Sequence, residues 1–266
     1  MPFTFFAHQV PVLPLKTWRP RWFDGTALVI SSMAPDLAYA FGPTVLHGHH
    51  LDGLFTICVP VTLTVTFVVR RFVADVAFAY LDHPRFQLAD FRALATRRPP
   101  VWQTVISAVL GAGSHILLDS FTHDFGWGAR VLGWNHPVIF HLLGRDFTVA
   151  RTLQYVGHTF GSITCVVMLW LLTQRGCMAD WYGAHVIQAA RSCHVTRHQR
   201  LAFWTVTLMF GMLSSAATIG QGATIRSLFV IIWGLGVGVF VASLLPICRP
   251  RSDALVLVHP QAGSIS

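Results

Sequence analysis

The 266 residues are 53% hydrophobic and only 11% charged, and their mean hydropathy is strongly positive, which excludes an ordinary soluble domain. The formal charge of +8 comes from Lys and Arg placed in short stretches between apolar runs rather than in one basic stripe, so it argues for membrane topology and against nucleic acid as a partner. All eleven acidic residues are Asp, so any carboxylate chemistry must use that side chain.

The N-terminal stretch MPFTFFAHQVPVLPLKTWRPR lacks a basic region ahead of its apolar residues and is interrupted by Pro2, Pro11 and Pro14, so no cleavable signal peptide is expected. Residues 8–16 and 22–35 predict a short helical hairpin turning at Lys16 to Arg21, and the apolar run 25–42 is cut at Pro35. Crossing a bilayer takes about 20 apolar residues. Runs 54–71, 101–119, 152–173 and 228–248 meet that length, and run 201–219 reads as a weaker span. Between the first two lies a connector, 72–100, expected to hold a short amphipathic helix before Pro99 and Pro100. A basic loop follows at 174–200, GLGVGVF marks close helix packing in the last run, and the tail after Pro250 reads as frayed. The expected fold is all-α: a polytopic integral membrane helical bundle with about five or six transmembrane helices plus the N-terminal hairpin. The five cysteines are scattered without a CxxC, which argues against a disulfide framework.

Lys and Arg accumulate on the cytoplasmic side of a membrane. With residues 70–100 inside, fifteen of the 19 basic residues fall on that side, and only Arg130, Arg145, Arg151 and Arg226 lie opposite. Seven of the fourteen histidines (His47, His49, His50, His115, His123, His136 and His141) then share the non-cytoplasmic face. Polar residues gathered at one end of a membrane bundle commonly mark a functional site.

The densest signal is GAGSHILLDSFTHD at 111–124. His115 and Asp119 are four residues apart on one helix face, so both reach a single metal ion; the same spacing serves a His-Asp hydrogen bond between two helices. In SSMAPDLAY, Asp36 follows a proline at the end of an apolar run, where a buried carboxylate needs a partner. HGHHLDGL presents three histidines near it in sequence, and the predicted hairpin would return His8 to the same face.

MPFTFFAH, SMAPD, HxLxG at His49 to Gly53, SHxxLDSFTH and LQY at Leu153 to Tyr155 occur in an order that resembles the DUF4184 family of bacterial membrane proteins, over roughly residues 1–175. The pattern is similar, more distantly, to membrane-bound metal-dependent hydrolases related to YdjM, and in ligand order to zinc-dependent phospholipases C. The resemblance implies His8, Asp36, His49, His115 and Asp119 as metal ligands, with Zn²⁺ as the first choice and Mn²⁺ as the second. It departs from the pattern around the central histidine, where Gly48 and His50 flank His49, leaving His47, His49 and His50 as alternatives there. His123 matches the family motif as a further ligand or as a donor behind one. The expected catalytic pair is His123 and Asp124, the latter as a base, since no Glu exists to serve.

The chain therefore divides into a core at 1–175 carrying the site and a region at 176–266 with a basic cytoplasmic loop, a transmembrane hairpin and a tail. The expected activity is metal-dependent hydrolysis of a lipid or phosphoester at the non-cytoplasmic face of the bacterial inner membrane, with the bilayer as partner. The rival from another class is a carrier or structural protein whose His/Asp cluster binds a passing ion or proton.

Overall fold

Pro11, Pro14, Pro20 and Pro35 keep the first segment from forming one continuous helix, because each removes a backbone donor and crowds the preceding turn. The computed structural model describes residues 4–41, 48–220 and 224–245. A 3-10 turn over Thr4–Gln9 leads into α1 (Leu13–Trp18), then a reversal at 19–24, α2 (Gly25–Ser31) and α3 (Ala34–Leu37). The hairpin expected from the sequence is present. The run 25–42 is no span: it is broken after α2, and its end together with His47 lies outside the described residues.

Helix α4 (Leu51–Leu81) is continuous through two π-helical segments, Leu54–Cys58 and Val69–Val73, and extends ten residues past the predicted end at 71. Arg70 and Arg71 do not terminate it, and the reason is local. Arg70 turns inward onto Asp24, a fully buried carboxylate that also caps α2 by accepting from the Ala27 amide at 3.1 Å. Thr104 donates to the other oxygen of Asp24 at 2.7 Å, and the Asp24 amide donates to Ser107 at 2.9 Å. This network pins the tip of the hairpin between α4 and α5 (Val101–Thr122).

Helix α5 stops where His123 takes extended backbone, followed by the short α6 (Trp127–Val131). A β-hairpin comes next, β1 (Val138–Leu142) antiparallel to β2 (Arg145–Thr148), which corrects the all-helical expectation. It turns at Leu143-Gly144, both with positive φ, as the twist of a two-residue hairpin loop requires. Its first strand, VIFHL, is apolar without alternation, so no period of two was visible to predict it. Thr148 caps α7 (Val149–Gln174); α8 (Cys177–Tyr182), α9 (Ala184–Arg191), α10 (Arg197–Ala216) and α11 (Ile225–Ala242) complete the described chain.

Three helical stretches are long and apolar enough to cross a membrane, Leu51–Leu81, Val101–Val131 (α5 taken with α6) and Val149–Gln174, and Arg226–Ala242 is a shorter apolar helix. Their burial is inverted relative to a soluble protein. Helix α5 buries Thr104, Ser107, Ala108, Gly111, Ala112 and His115 while Ile106, Leu110 and Leu117 face outward. Small and polar residues between helices with large apolar ones outside suit a lipid solvent.

Glycines set two of the close approaches. A Cβ on Gly111 would lie 1.8 Å from Ser31 Oγ and 2.8 Å from the Leu28 carbonyl, so α2 crosses α5 there. A Cβ on Gly161 would lie 2.8 Å from that of Ala7, which seats the Thr4–Gln9 turn on α7. At the other end, the expected amphipathic segment of the connector is a 3-10 helix over Leu88–Ala95, packed with α8 and α9 around Ala93, Met178 and Ile187. Buried Arg92 there binds Asp75 at 2.6 Å and the Ala190 carbonyl at 2.7 Å. Helices α10 and α11 pair with each other and lean on α4, where Tyr80 stacks on Phe203 at 4.7 Å.

Candidate metal centre

Four side chains meet at the end of the bundle away from the Asp24 network. Asp36 comes from α3, His49 from the turn preceding α4, and His115 and Asp119 from successive turns of α5. One ligating atom from each lies within 4.8 Å of all the others. His49 Nε2 is 3.3 Å from Asp36 Oδ1 and 3.5 Å from Asp119 Oδ2. His115 Nε2 is 3.6 Å from Asp36 Oδ1, 3.3 Å from Asp119 Oδ2 and 3.3 Å from His49 Nε2. Zinc-ligand bonds of about 2.0 to 2.1 Å place tetrahedral ligand atoms about 3.3 to 3.4 Å apart, and the five separations above, 3.3 to 3.6 Å, are close to that spacing.

The hydrogen bonding of His115 fits the same geometry. His115 is fully buried and its Nδ1 lies 2.7 Å from the Ser32 carbonyl, an acceptor only, so Nδ1 carries the proton and donates. Loss of the Nε2 proton would then leave that nitrogen's lone pair aimed at the cluster, the arrangement of a metal-binding imidazole with its outer partner. Two carboxylates would balance a divalent cation, leaving no net buried charge. Burial opposes ionisation of Asp36, but the facing His115 and His49 outweigh it and hold its carboxyl below the usual range. The residues present therefore fit a divalent ion held by Asp36, His49, His115 and Asp119.

His8 stands beside this set rather than in it. Its Nε2 is 3.6 Å from Asp119 Oδ1, the oxygen turned away from the four, and its ring lies 3.9 Å from that of His115. Burial, helped by His115, pushes the His8 imidazole down to about 3, so the ring is neutral. His123 also faces Asp119 Oδ1, at 3.7 Å from Nδ1, and its Nε2 contacts the Gln154 amide at 2.7 Å. Asp124, expected as a base, is engaged elsewhere: Arg151 binds one oxygen at 2.6 Å and Thr148 donates to the other. It ties the end of α5 to the start of α7. His50 is exposed on the cavity rim, and His141 pairs with Asp146 on the exposed hairpin at 2.6 Å.

Asp36, His49 and Asp119 line one wall of a cavity of about 750 Å³, with His115 buried behind them. Tyr39, Ser120, His123 and Arg130 add polar groups to it, and Leu51, Leu117, Phe125 and Trp127 line its apolar side while remaining exposed on the outer surface. Sequence reasoning passed over Tyr39, Arg130, Gln154 and His158. For the last two a signal existed: Gln154 and His158 are one helical turn apart on an otherwise apolar run, the pattern already noticed for His115 and Asp119.

Residues 1–247 match the family described as a domain of unknown function, DUF4184. The chain belongs to the DUF4184 family. The match continues past residue 175, where the resemblance was drawn from motifs, and takes in α10 and α11. No curated protein and no solved structure matches the chain.

Proposed function

We propose that this DUF4184 protein is a membrane-embedded metal-dependent hydrolase acting on an ester or phosphoester of a lipid. The observation that carries the reading is the convergence of Asp36, His49, His115 and Asp119 on one point in the wall of an amphipathic cavity. A divalent ion there, Zn²⁺ in first place and Mn²⁺ in second, supplies a Lewis-acid contact and a water acidified toward a pKa of about 7. The chain's own residues do the rest. Asp36 and Asp119 balance charge, His115 is oriented by the Ser32 carbonyl, and His123 stands within reach of Asp119 with Gln154 behind it. Arg130 gives the cavity a fixed positive charge for a substrate anion, and the exposed Leu51 and Leu117 give an alkyl chain a way in from the bilayer.

Five crossings accompany this reading: α4, α5, α7, α10 and α11, with the N-terminal hairpin wedged among them. The basic segments 70–100 and 174–200 then lie in the cytoplasm and the metal centre at the non-cytoplasmic face of a bacterial inner membrane. Purified wild-type protein should contain stoichiometric metal and hydrolyse phospholipid or carboxyl-ester amphiphiles. His115→Ala should lose both, and Asp124→Asn should keep its metal and most of its activity. Wild-type protein without metal, and inactive when Zn²⁺ or Mn²⁺ is added, would refute the proposal.

A further inference from the structure

Another cavity lies toward the basic end of the bundle, among the N-terminal hairpin, α4, α7, α8 and the 3-10 helix Leu88–Ala95. It measures about 270 Å³, and Leu13, Ile30, Val69, Phe78, Leu172 and Met178 make most of its lining apolar. Packed interiors hold few voids larger than a water molecule, and an apolar space offers water too few partners to stay. Gln9, at the end nearer the His/Asp cluster, is engaged elsewhere: its amide nitrogen donates to Met33 Sδ at 3.2 Å, and its oxygen accepts from Cys165 Sγ at 3.2 Å. The space therefore suits an alkyl chain.

The other end of the cavity is marked by Lys16, Trp181 and Tyr182. Lys16 Nζ donates to the carbonyls of Pro20 at 2.6 Å and Phe23 at 2.9 Å, which fixes it at the hairpin turn. Trp18, Trp22 and Trp102 are exposed about that turn, and the rings of the last two meet edge to face at 6.4 Å. Exposed tryptophans gather at the headgroup level of a bilayer, so the cavity opens there. Two cations meet at Trp181: Lys16 stands 5.2 Å from its ring, and Arg97 donates to its carbonyl at 3.3 Å. The charged groups that act on Lys16 are Asp24, Arg97 and Arg70, and Asp24 is bound by Arg70. Lys16 and Arg97 thus present positive charge with no carboxylate of their own. Basic pockets between membrane helices are sites for anionic headgroups.

We infer that this cavity binds an anionic phospholipid from the leaflet at the basic end, one acyl chain filling the apolar space and the phosphate lying against Arg97, Lys16 and Trp181. The lipid holds α8 and the Leu88–Ala95 helix against the hairpin. It is a resident of the fold rather than a substrate, because the His/Asp cluster lies at the other end of the bundle. The site is independent of whether that cluster holds a metal.

The test uses full-length protein in detergent, stripped of lipid and titrated with phosphatidylglycerol or with phosphatidylcholine of the same chains, the bound lipid being counted by native mass spectrometry. One phosphatidylglycerol per chain is expected, held more tightly than phosphatidylcholine. Arg97→Gln, a surface change, should lower that preference roughly fivefold, the worth of one basic residue at an anionic lipid surface. Val69→Phe and Leu169→Trp, which add rings to the cavity from α4 and α7, should lose both lipids. Melting gives a second reading: phosphatidylglycerol should raise the midpoint of the wild type and leave the two filled variants unmoved. Filled variants that bind lipid as the wild type does would overturn the cavity as its seat. Equal binding of the two lipids, or a preference untouched in Arg97→Gln, would overturn the assignment of the headgroup.

Discussion

On the proposed function, His49 links the acid-base state of the centre to metal binding. Burial works against a charge on this ring, but its hydrogen bonds with Asp119 and Asp36 outweigh burial and raise it above the ordinary 6.5. In the ion-free chain protonated His49 therefore stabilises the fold at low pH, and that contribution fades as pH rises through the raised value. Metal binding has the opposite sign, because the ring must give up its proton to become a ligand. Below the raised value His49 gives up one proton for each ion bound, so its own share of the pH dependence is about tenfold weaker affinity for Zn²⁺ per unit fall in pH. Titrations at pH 6 and 7 in a non-chelating buffer measure this. A flat profile would show that His49 keeps its proton and lies outside the coordination shell.

At the scale of elements, the centre depends on how closely the hairpin approaches α5. Gly111 is the contact point, and the carbonyl of Leu28, a backbone atom, lies 2.8 Å from where its Cβ would be, so α2 must shift for any side chain to fit. Gly111→Ala should cost about 1 to 3 kcal/mol of stability and loosen Ser32 from His115, weakening metal binding as well. Gly236→Ala on α11, with nothing within 4 Å of the added atom, should leave melting temperature and metal content unchanged. Equal effects of the two substitutions would remove the claimed role of the crossing. The sequence made much of this legible. His115, Asp119 and the hairpin followed from helical spacing and proline placement, which are local properties. The Asp24 and Arg70 pair was not legible, because the two are 46 residues apart and Arg70 reads as a loop charge until α4 is seen to run through it. The two oxygens of Asp119 were equally hidden, since a sequence gives a ligand but not the direction of its lone pairs.

For the whole molecule, the hairpin raises a problem of solvation. Its backbone is interrupted at 10–12, 19–24 and 32–33, and unpaired amides and carbonyls are tolerated at membrane depth only where protein encloses them. Enclosure is what α4, α5 and α7 provide, through Asp24, Gly111 and Gly161. The reversal at 19–24 reaches the end of the bundle occupied by α8, where Lys16 lies 5.2 Å from the Trp181 ring, while His8 and Asp36 return to the end that carries the His/Asp cluster. The β-hairpin sits at the same end, tied there by Thr148 on Asp124, with Leu143 at its tip 92% exposed. In a cysteine-free background, Leu143→Cys should therefore react with a membrane-impermeant maleimide added outside intact cells, and Arg19→Cys should react only after the membrane is opened. The proposed orientation predicts that order, since it places the turn carrying Lys16, Arg19 and Arg21 with the other basic segments on the cytoplasmic side. Labelling of both positions from outside would mean that the hairpin does not traverse the bundle. The enclosure that holds His8 against Asp119 would then fail with it.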